Sequence, residues 1–282
     1  MILVTGATGT TGTATLNSLI ARGASVRAFT RRPDAVLPGG VERAVGSFDD
    51  PASLAPAMNG IDSAFLVTLP DPAMLAQEAA FLRAATDAGV QHIVRLSVLD
   101  ADSVPHPHLV AAEHAPAERA LVDSGISWTI LRANGFTQNL LAQAPAVAAQ
   151  DIYVSPLGAA VSMVDTDDIG AMAAAALTEP GHRGRIYEMT GPQALTGKEI
   201  AAIFSEVLGR EITHVQPSPR EAAGALIAAG LPPLRVEQLA SLWAYFEHGG
   251  GAAVSDDIPR VLGRPALSVR DFIERHRHAF AR

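Results

Sequence analysis

The chain contains no cysteine, and that absence removes disulfides, thiolate nucleophiles, zinc fingers and iron–sulfur clusters. Packing alone must hold the fold. Basic charge is also scarce: over 282 residues the formal net charge is −8, with no lysine cluster or basic helix to create a local positive field. A nucleic-acid partner is therefore not expected. No apolar stretch approaches the ~20 residues that span a bilayer; the alanine-rich runs 171–177 and 222–229 are interrupted or bounded by Gly and flanked by charge or Pro. Met1 leads straight into an apolar strand pattern with no leader-like segment, so the expectation is a cytoplasmic protein with no membrane partner.

What the chain does have is a glycine turn at its start. Met1 to Thr5 is apolar, Gly6-Ala7-Thr8-Gly9-Thr10-Thr11-Gly12 follows, and 13–22 reads as a helix with Ala14, Leu16, Leu19 and Ile20 inward. A strand turning through glycines into a helix sets a pyrophosphate on unpaired N–H groups at the positive end of a helix dipole. Gly6 permits the turn, Gly9 lets the backbone approach phosphates, and Gly12 lets helix and strand lie close. Thr8, Thr10 and Thr11 belong to the same cradle. The spacing is G-x-x-G-x-x-G rather than the dehydrogenase G-x-G-x-x-G.

A second strand, 24–30, ends at Thr30-Arg31-Arg32-Pro33. In a dinucleotide fold this end faces the adenosine ribose, where an acidic residue would select NAD. Arginine stands there instead. Arg31 lies 19 residues beyond Gly12, near the expected offset of about 20, and a guanidinium holds a 2′-phosphate by paired hydrogen bonds. NADP(H) is the expected cofactor. Further strands are expected at 41–45, 61–68, 91–97 and 127–131, separated by helices that include 51–58, 73–88 and 109–124. Asp50 and Pro51 start the first of these, and the next should bury Leu75, Ala79, Leu82 and Ala85. The pattern is α/β: a Rossmann-type doubly wound parallel sheet with a small, mostly helical C-terminal lobe. The expected division is a cofactor-binding domain over 1–150, with a returning segment at about 160–192, and a substrate-binding lobe over 193–282. Short strands are expected near 152–154, 161–164 and 186–189, and helices at 167–177, 196–208, 219–229, 235–247, 258–262 and 268–280.

Ligands in such sheets bind beyond the carboxyl ends of the strands. Asp49 is placed to reach the adenine or to serve the capping turn, and Thr68-Leu69-Pro70 to line the nicotinamide passage. Ser97 can bond substrate or ribose, or cap a turn. Asn134, Phe136 and Asn139 suit a planar ligand.

Several segments together resemble the atypical short-chain dehydrogenase/reductases of the NmrA-like group, nearly end to end. They are Val4-Thr5-Gly6-Ala7-Thr8-Gly9 to Gly12, Arg31-Arg32-Pro33, Gly46-Ser47-Phe48-Asp49-Asp50-Pro51-Ala52-Ser53-Leu54, Ser124 to Arg132, Val164 to Gly170, and Tyr187-Glu188-Met189-Thr190-Gly191-Pro192. That group includes NAD(P)H-dependent quinone oxidoreductases, triphenylmethane reductases and redox-sensing regulators. The resemblance implies a Rossmann domain, a C-terminal lobe and a small-molecule substrate between them. It also exposes a departure. Ordinary short-chain dehydrogenases carry Tyr-x-x-x-Lys on the helix after the fifth strand, whereas that helix here holds His114-Ala115-Pro116-Ala117-Glu118 and neither tyrosine nor lysine.

An ordinary ketone needs a positioned acid to take hydride, while a quinone or conjugated cation does not. The missing tyrosine therefore favours an NADPH-dependent oxidoreductase acting on a quinone-like or conjugated acceptor. Two alternatives stay open: a catalytically silent NADP-sensing protein working through a partner, and an imine, enone or ketone reductase. His114 and Glu118 share a helix face at i, i+4, either as an imidazole oriented by a carboxylate or as a surface ion pair. The three histidines His106, His108 and His114 have no carboxylate at a recognised metal spacing, so no metal is expected. Trp243, Tyr245 and Phe246 are read as packing of the lobe, and Asp165, Asp167 and Asp168 as helix caps. The alanine-rich helices leave open a homodimer or packing within one chain.

Overall fold

A computed structural model describes residues 1–105 and 107–282. In chain order the elements are β1 (Ile2–Val4), α1 (Thr10–Ala21), β2 (Val26–Thr30), β3 (Glu42–Val45), α2 (Leu54–Met58), β4 (Ser63–Leu66), α3 (Met74–Asp87), β5 (His92–Val98), α4 (Leu109–Asp123), β6 (Ser127–Ala133), α5 (Ala144–Gln150), β7 (Ile152–Val154), α6 (Thr166–Thr178), β8 (Arg185–Met189), α7 (Gly197–Leu208), β9 (Thr213–Val215), α8 (Pro219–Ala228), α9 (Pro233–Glu247), α10 (Asp257–Leu262) and α11 (Val269–Arg275).

Seven strands form one parallel sheet in the order β3-β2-β1-β4-β5-β6-β8. The strand order reverses between β1 and β4, which opens a crevice at the carboxyl ends of those strands. Side chains alternate across the sheet, as the two-residue strand period requires. Ile2, Val4 and Phe65 pack towards Leu16 and Leu19 of α1 and Ile169 and Met172 of α6. Leu3, Ala64 and Leu66 turn the other way, towards Leu54, Phe81, Leu82 and Leu121 of α2, α3 and α4. Burying each such Leu or Phe contributes about 1.5–3 kcal/mol, so both layers are held by the hydrophobic effect.

Besides the unexpected helix α5 and the end of α11 at Arg275 rather than 280, the elements differ from expectation in four places. Helix α1 begins at Thr10 rather than Thr13, with Gly9 as its N-cap. The inward face of α3 is Met74, Glu78, Phe81, Leu82 and Ala85, while Leu75 is exposed; the face is rotated because a buried carboxylate, Glu78, occupies a core position. Segment 161–164 makes isolated bridges rather than a strand. Strand β9 was not expected, and it pairs with β7 in a separate two-stranded sheet.

The C-terminal segments pack on the rim and on α6. Thr196, Ser218 and Ser268 each start a helix with a reciprocal capping box. Asp165 caps α6, accepting from the Asp167 N–H at 2.9 Å, as the sequence suggested. The same cluster also ties down the chain's end: Arg275 pairs with Asp165 and Asp167, and Asp168 accepts from the Leu267 N–H and pairs with Arg264, both at 2.7 Å. No helix among the described residues is long and apolar enough to cross a membrane.

Candidate functional site

A cavity of about 1010 Å³ lies along the carboxyl ends of β1 to β6 and is roofed by α9. One half is made of backbone. Gly6 sits at φ +56°, and a Cβ on it would come within 2.6 Å of the Val67 side chain. A Cβ on Gly12 would lie 2.1 Å from the Gly6 carbonyl oxygen, so only glycine lets α1 cross β1 this closely. Among the described residues no side chain caps the first-turn N–H groups of α1, and that turn holds no acid. Those donors face a cavity lined by Gly6, Thr8, Gly9, Thr10 and Thr11, an anion cradle in which the dipole and the free N–H groups act together. This fits a dinucleotide pyrophosphate. Gly12 does not line the cavity; it works from behind, through packing.

Arg31 lines the same half and Arg32 does not. Both are exposed and neither makes an ion pair among the described residues, while the Arg32 N–H is tied to the Thr30 hydroxyl at 3.1 Å. The expected pair thus resolves to Arg31 at the cavity, with Arg32 beside it in the turn. Asp49 lines the cavity with its carboxylate held by Gln77 at 2.8 Å, and the neighbouring Asp50 is the residue that caps, accepting from the Ala52 N–H.

The other half is made of side chains. Thr68, Leu69, Pro70, Ser97, His114, Asn134, Phe136 and Asn139 all line it. Their commitments differ. Thr68 donates to Glu78, which Arg95 holds at 2.7 and 3.0 Å; Arg95 and Glu78 are completely buried. Ser97 donates to Glu118, so its oxygen remains only as an acceptor. Asn134 donates to the Ser162 hydroxyl and the Gly251 carbonyl, both at 2.9 Å, and its own oxygen accepts from the Gly135 N–H at 2.8 Å. That amide has no N–H left for a ligand, and its role is to clamp the loop after α9. Asn139 is exposed at the mouth, and Phe136 both lines the cavity and packs on the core.

The pairing of His114 with Glu118 is corrected. Both side chains are buried, which excludes a surface ion pair, and they do not bond each other. Glu118 instead takes two hydrogen bonds from Arg132, at 3.1 and 2.7 Å, and lies outside the cavity lining. The reason is electrostatic: a full guanidinium charge on β6 outcompetes a neutral imidazole one helical turn away. Arg132 continues to Asp102 at 2.6 Å, and this hydrogen bond holds the Asp102 carboxyl below its usual range. His114 keeps an Nδ1 with no partner among the described residues. Burial, reinforced by the charges of Arg95 and His108, pushes its pKa well below the ordinary value, so the ring is neutral. Pro116 interrupts nothing: α4 runs through it.

His108 caps α4, its Nδ1 accepting from the Ala111 N–H at 3.1 Å, and packs against Tyr245 with ring centroids 4.8 Å apart and the planes tilted by 51°. His106, the third histidine of the sequence reading, lies outside the described residues. Tyr245 and Phe246 were read as lobe packing, yet both line the cavity; Trp243 does not. The Tyr245 phenol sits between the Asp100 carboxylate at 2.7 Å and the Gly250 carbonyl at 2.5 Å. Burial, then the Asp100 contact, raises its pKa, so it stays protonated with its hydrogen already committed. Sequence reasoning also missed Arg235, Gln238, Leu239 and Leu242. With Tyr245 and Phe246 they follow i, i+3, i+4, i+7, i+10, i+11, one stripe of α9; that periodicity is the signal that was present.

The arrangement has close counterparts. The chain is 37% identical over 284 residues to the (4-alkanoyl-5-oxo-2,5-dihydrofuran-3-yl)methyl phosphate reductase of Streptomyces griseus, covering 100% of this chain and 99% of that protein. It is 34% identical over 284 residues to the NAD(P)H azoreductase of Xenophilus azovorans, with 99% of each covered. The crystal structure of the NADPH-dependent quinone oxidoreductase of Escherichia coli complexed with NADPH superposes with a TM-score of 0.87 at 29% identity, covering 98% of this chain and 99% of that one. The NmrA-like family model matches residues 1–262. With a glycine cradle at its first strand, an arginine at its second and a parallel sheet roofed by a C-terminal helix, the chain belongs to the NmrA-like family.

Proposed function

We propose that the protein reduces a quinone-like, conjugated small molecule held in the side-chain half of the cavity, using NADPH held in the backbone half. It is an NAD(P)H-dependent oxidoreductase with NADP(H) as its cofactor. The first turn of α1 holds the pyrophosphate, and Arg31 holds the 2′-phosphate. When bound, the cofactor supplies hydride from its dihydronicotinamide ring.

The observation that carries this reading is the state of the polar groups around the acceptor half. Tyr245 shares its hydrogen between Asp100 and Gly250, Ser97 donates to Glu118, and the Asn134 amide is engaged at every N–H. None is free to deliver a proton to a basic alkoxide. His114 is neutral and can offer one ring N–H to an acceptor oxygen, which suffices for an acceptor whose reduced anion is already delocalised. The apolar walls from Leu239, Leu242 and Phe246 exclude water around a planar ring, while the rim at Leu69 and Asn139 leaves water access for the final proton.

The test is loss of reduced-nicotinamide absorbance with NADPH, and separately NADH, across quinones, azo compounds, enones, imines and ketones. Quinones turn over with NADPH and simple ketones do not; His114→Ala lowers kcat about tenfold, the worth of one hydrogen bond to a developing charge. Equal turnover of ketones would overturn the argument from committed donors. Tight NADP binding with no turnover of any acceptor would favour the sensor.

A further inference from the structure

Arg235 places a cation in the acceptor half. It lines the cavity from α9, half-buried beside Leu231, Leu239 and Leu242. Its Nη1 donates to the Pro70 carbonyl at 3.1 Å and to the Gln238 side-chain oxygen at 2.8 Å. These two bonds fix the plane of the guanidinium. A guanidinium carries five N–H donors, and Nε and Nη2 make no hydrogen bond among the described residues, where Arg235 also forms no ion pair. The nearby acids are directed elsewhere. Glu113 takes the Gln238 amide at 2.9 and 2.7 Å, and Asp71 accepts from the Ala73 N–H at 2.7 Å. Among the described residues lining this half, the remaining ionisable groups are His108 and His114, whose pKa values burial lowers, and Tyr245, whose pKa burial and then Asp100 raise.

A half-buried guanidinium with free N–H donors and no ion pair among the described residues offers an anionic ligand charge-assisted hydrogen bonds. Arg31 serves the opposite end of the cavity, so Arg235 duplicates nothing there. We infer that Arg235 is an anion anchor for the acceptor, so that the preferred substrates are planar conjugated molecules bearing an oxyanion substituent such as a sulfonate, carboxylate or phosphate. This rests on the reductase reading above and names the substrate class for it. The fork of Nε–H and Nη2–H matches two oxygens of such a group, and the Gln238 and Pro70 contacts hold that fork still before the ligand arrives.

The probes are 1,4-naphthoquinone-2-sulfonate and its neutral counterpart 2-methyl-1,4-naphthoquinone, each with NADPH and with wild type, Arg235→Gln and Arg235→Lys. In Arg235→Gln the ratio of kcat/KM for the sulfonated over the neutral quinone falls at least about tenfold, the size of one charge-assisted contact; Arg235→Lys restores part of it. The KM for the sulfonated quinone rises with ionic strength and that for the neutral one does not. An unchanged ratio overturns the inference, and so does an effect confined to the KM for NADPH, which would place Arg235 on the cofactor. Calorimetric titration of the sulfonated quinone into protein saturated with NADP⁺ separates the two readings. Arg235-dependent binding without turnover sustains the anchor while removing the reductase; turnover of both quinones with no dependence on Arg235 does the reverse.

Discussion

The two halves of the cavity are made of different material. The half proposed for the cofactor is main chain: N–H groups at α1 that no described side chain caps, a glycine at φ +56°, and a second glycine whose Cβ would meet the Gly6 carbonyl. The half proposed for the acceptor is side chain: two buried ion pairs, Glu78–Arg95 and Glu118–Arg132, the second extended to an exposed Asp102, behind it and a stripe of α9 above it. A backbone cradle depends on geometry that a few neighbouring residues set. A side-chain wall depends on groups brought together from several strands and helices, and on charges that must remain paired out of water. The halves should therefore fail in different ways.

The largest expected difference comes from breaking a charge pair behind the acceptor half. Arg95→Met leaves Glu78 buried and unpaired, an effect of about 3–5 kcal/mol, read as a lower midpoint in urea unfolding. Adding Glu78→Gln to the same chain should recover much of that loss, because the uncompensated charge is gone. Gly12→Ala, the corresponding lesion in the cofactor half, destabilises by about 1–3 kcal/mol through overpacking and weakens NADPH binding. An Arg95→Met protein as stable as wild type would mean that the pair is not desolvated as its burial implies.

Acid should separate the halves next. His108 and His114 line the half proposed for the acceptor, and His92, at the start of β5, bonds Thr129 at 2.9 Å. Burial lowers the pKa of His92 and His108 to about 4 from an ordinary 6.5. The unfolded chain therefore takes up these protons first as pH falls. Stability is complete above about pH 6.5 and declines towards pH 4, by at most about 3 kcal/mol for each histidine. His108→Asn keeps a helix-capping side chain and removes that residue's share, so the slope of unfolding free energy between pH 6.5 and 4 becomes shallower. An unchanged slope would show that His108 titrates normally in the folded protein.

The same contrast decides what could be read from the sequence. The strand–glycine–helix signal occupies a dozen consecutive residues, and the parallel sheet follows from strands and helices alternating in order. Both are local patterns, and both were legible. Glu78 was not, because a carboxylate on a helix is ordinarily exposed, and its partner Arg95 lies on another element; missing it shifted the inward face of α3 from Met74 to Leu75. Glu118 misled for a related reason. Its spacing to His114 is real, but the winning partner, Arg132, is on β6 and invisible to helical periodicity. β9 has three residues and exists only by pairing with β7. Tyr245 and Phe246 looked like packing because an aromatic stripe reads the same whether a core or a cavity lies beneath it.

A smaller effect sharpens the cofactor half itself. Arg31 lines the cavity while Arg32 does not, so Arg31→Gln should raise the KM for NADPH about tenfold, the loss of a charge-assisted contact, and leave that for NADH little changed. Arg32→Gln should have a weaker effect on both. The opposite ranking, measured with a single acceptor, would move the 2′-phosphate to Arg32.

The smallest contrast lies between two asparagines that the sequence treated alike. Asn134 has its amide engaged at 2.8 to 2.9 Å on three partners, so Asn134→Ala should lower stability by about 1 kcal/mol or more by releasing Gly251 and the loop after α9. Asn139 is exposed, and among the described residues its side-chain amide makes no hydrogen bond, its backbone N–H alone donating to the Phe136 carbonyl. Asn139→Ala should leave stability within about 0.5 kcal/mol and shift the KM for the acceptor about twofold, as a polar group at the mouth that touches ligand but supports nothing. If Asn139→Ala instead melts the protein and Asn134→Ala changes only KM, the side-chain half is held by different residues from those its hydrogen bonds indicate. The division between a clamp and a contact, which geometry alone draws here, would then have to be redrawn.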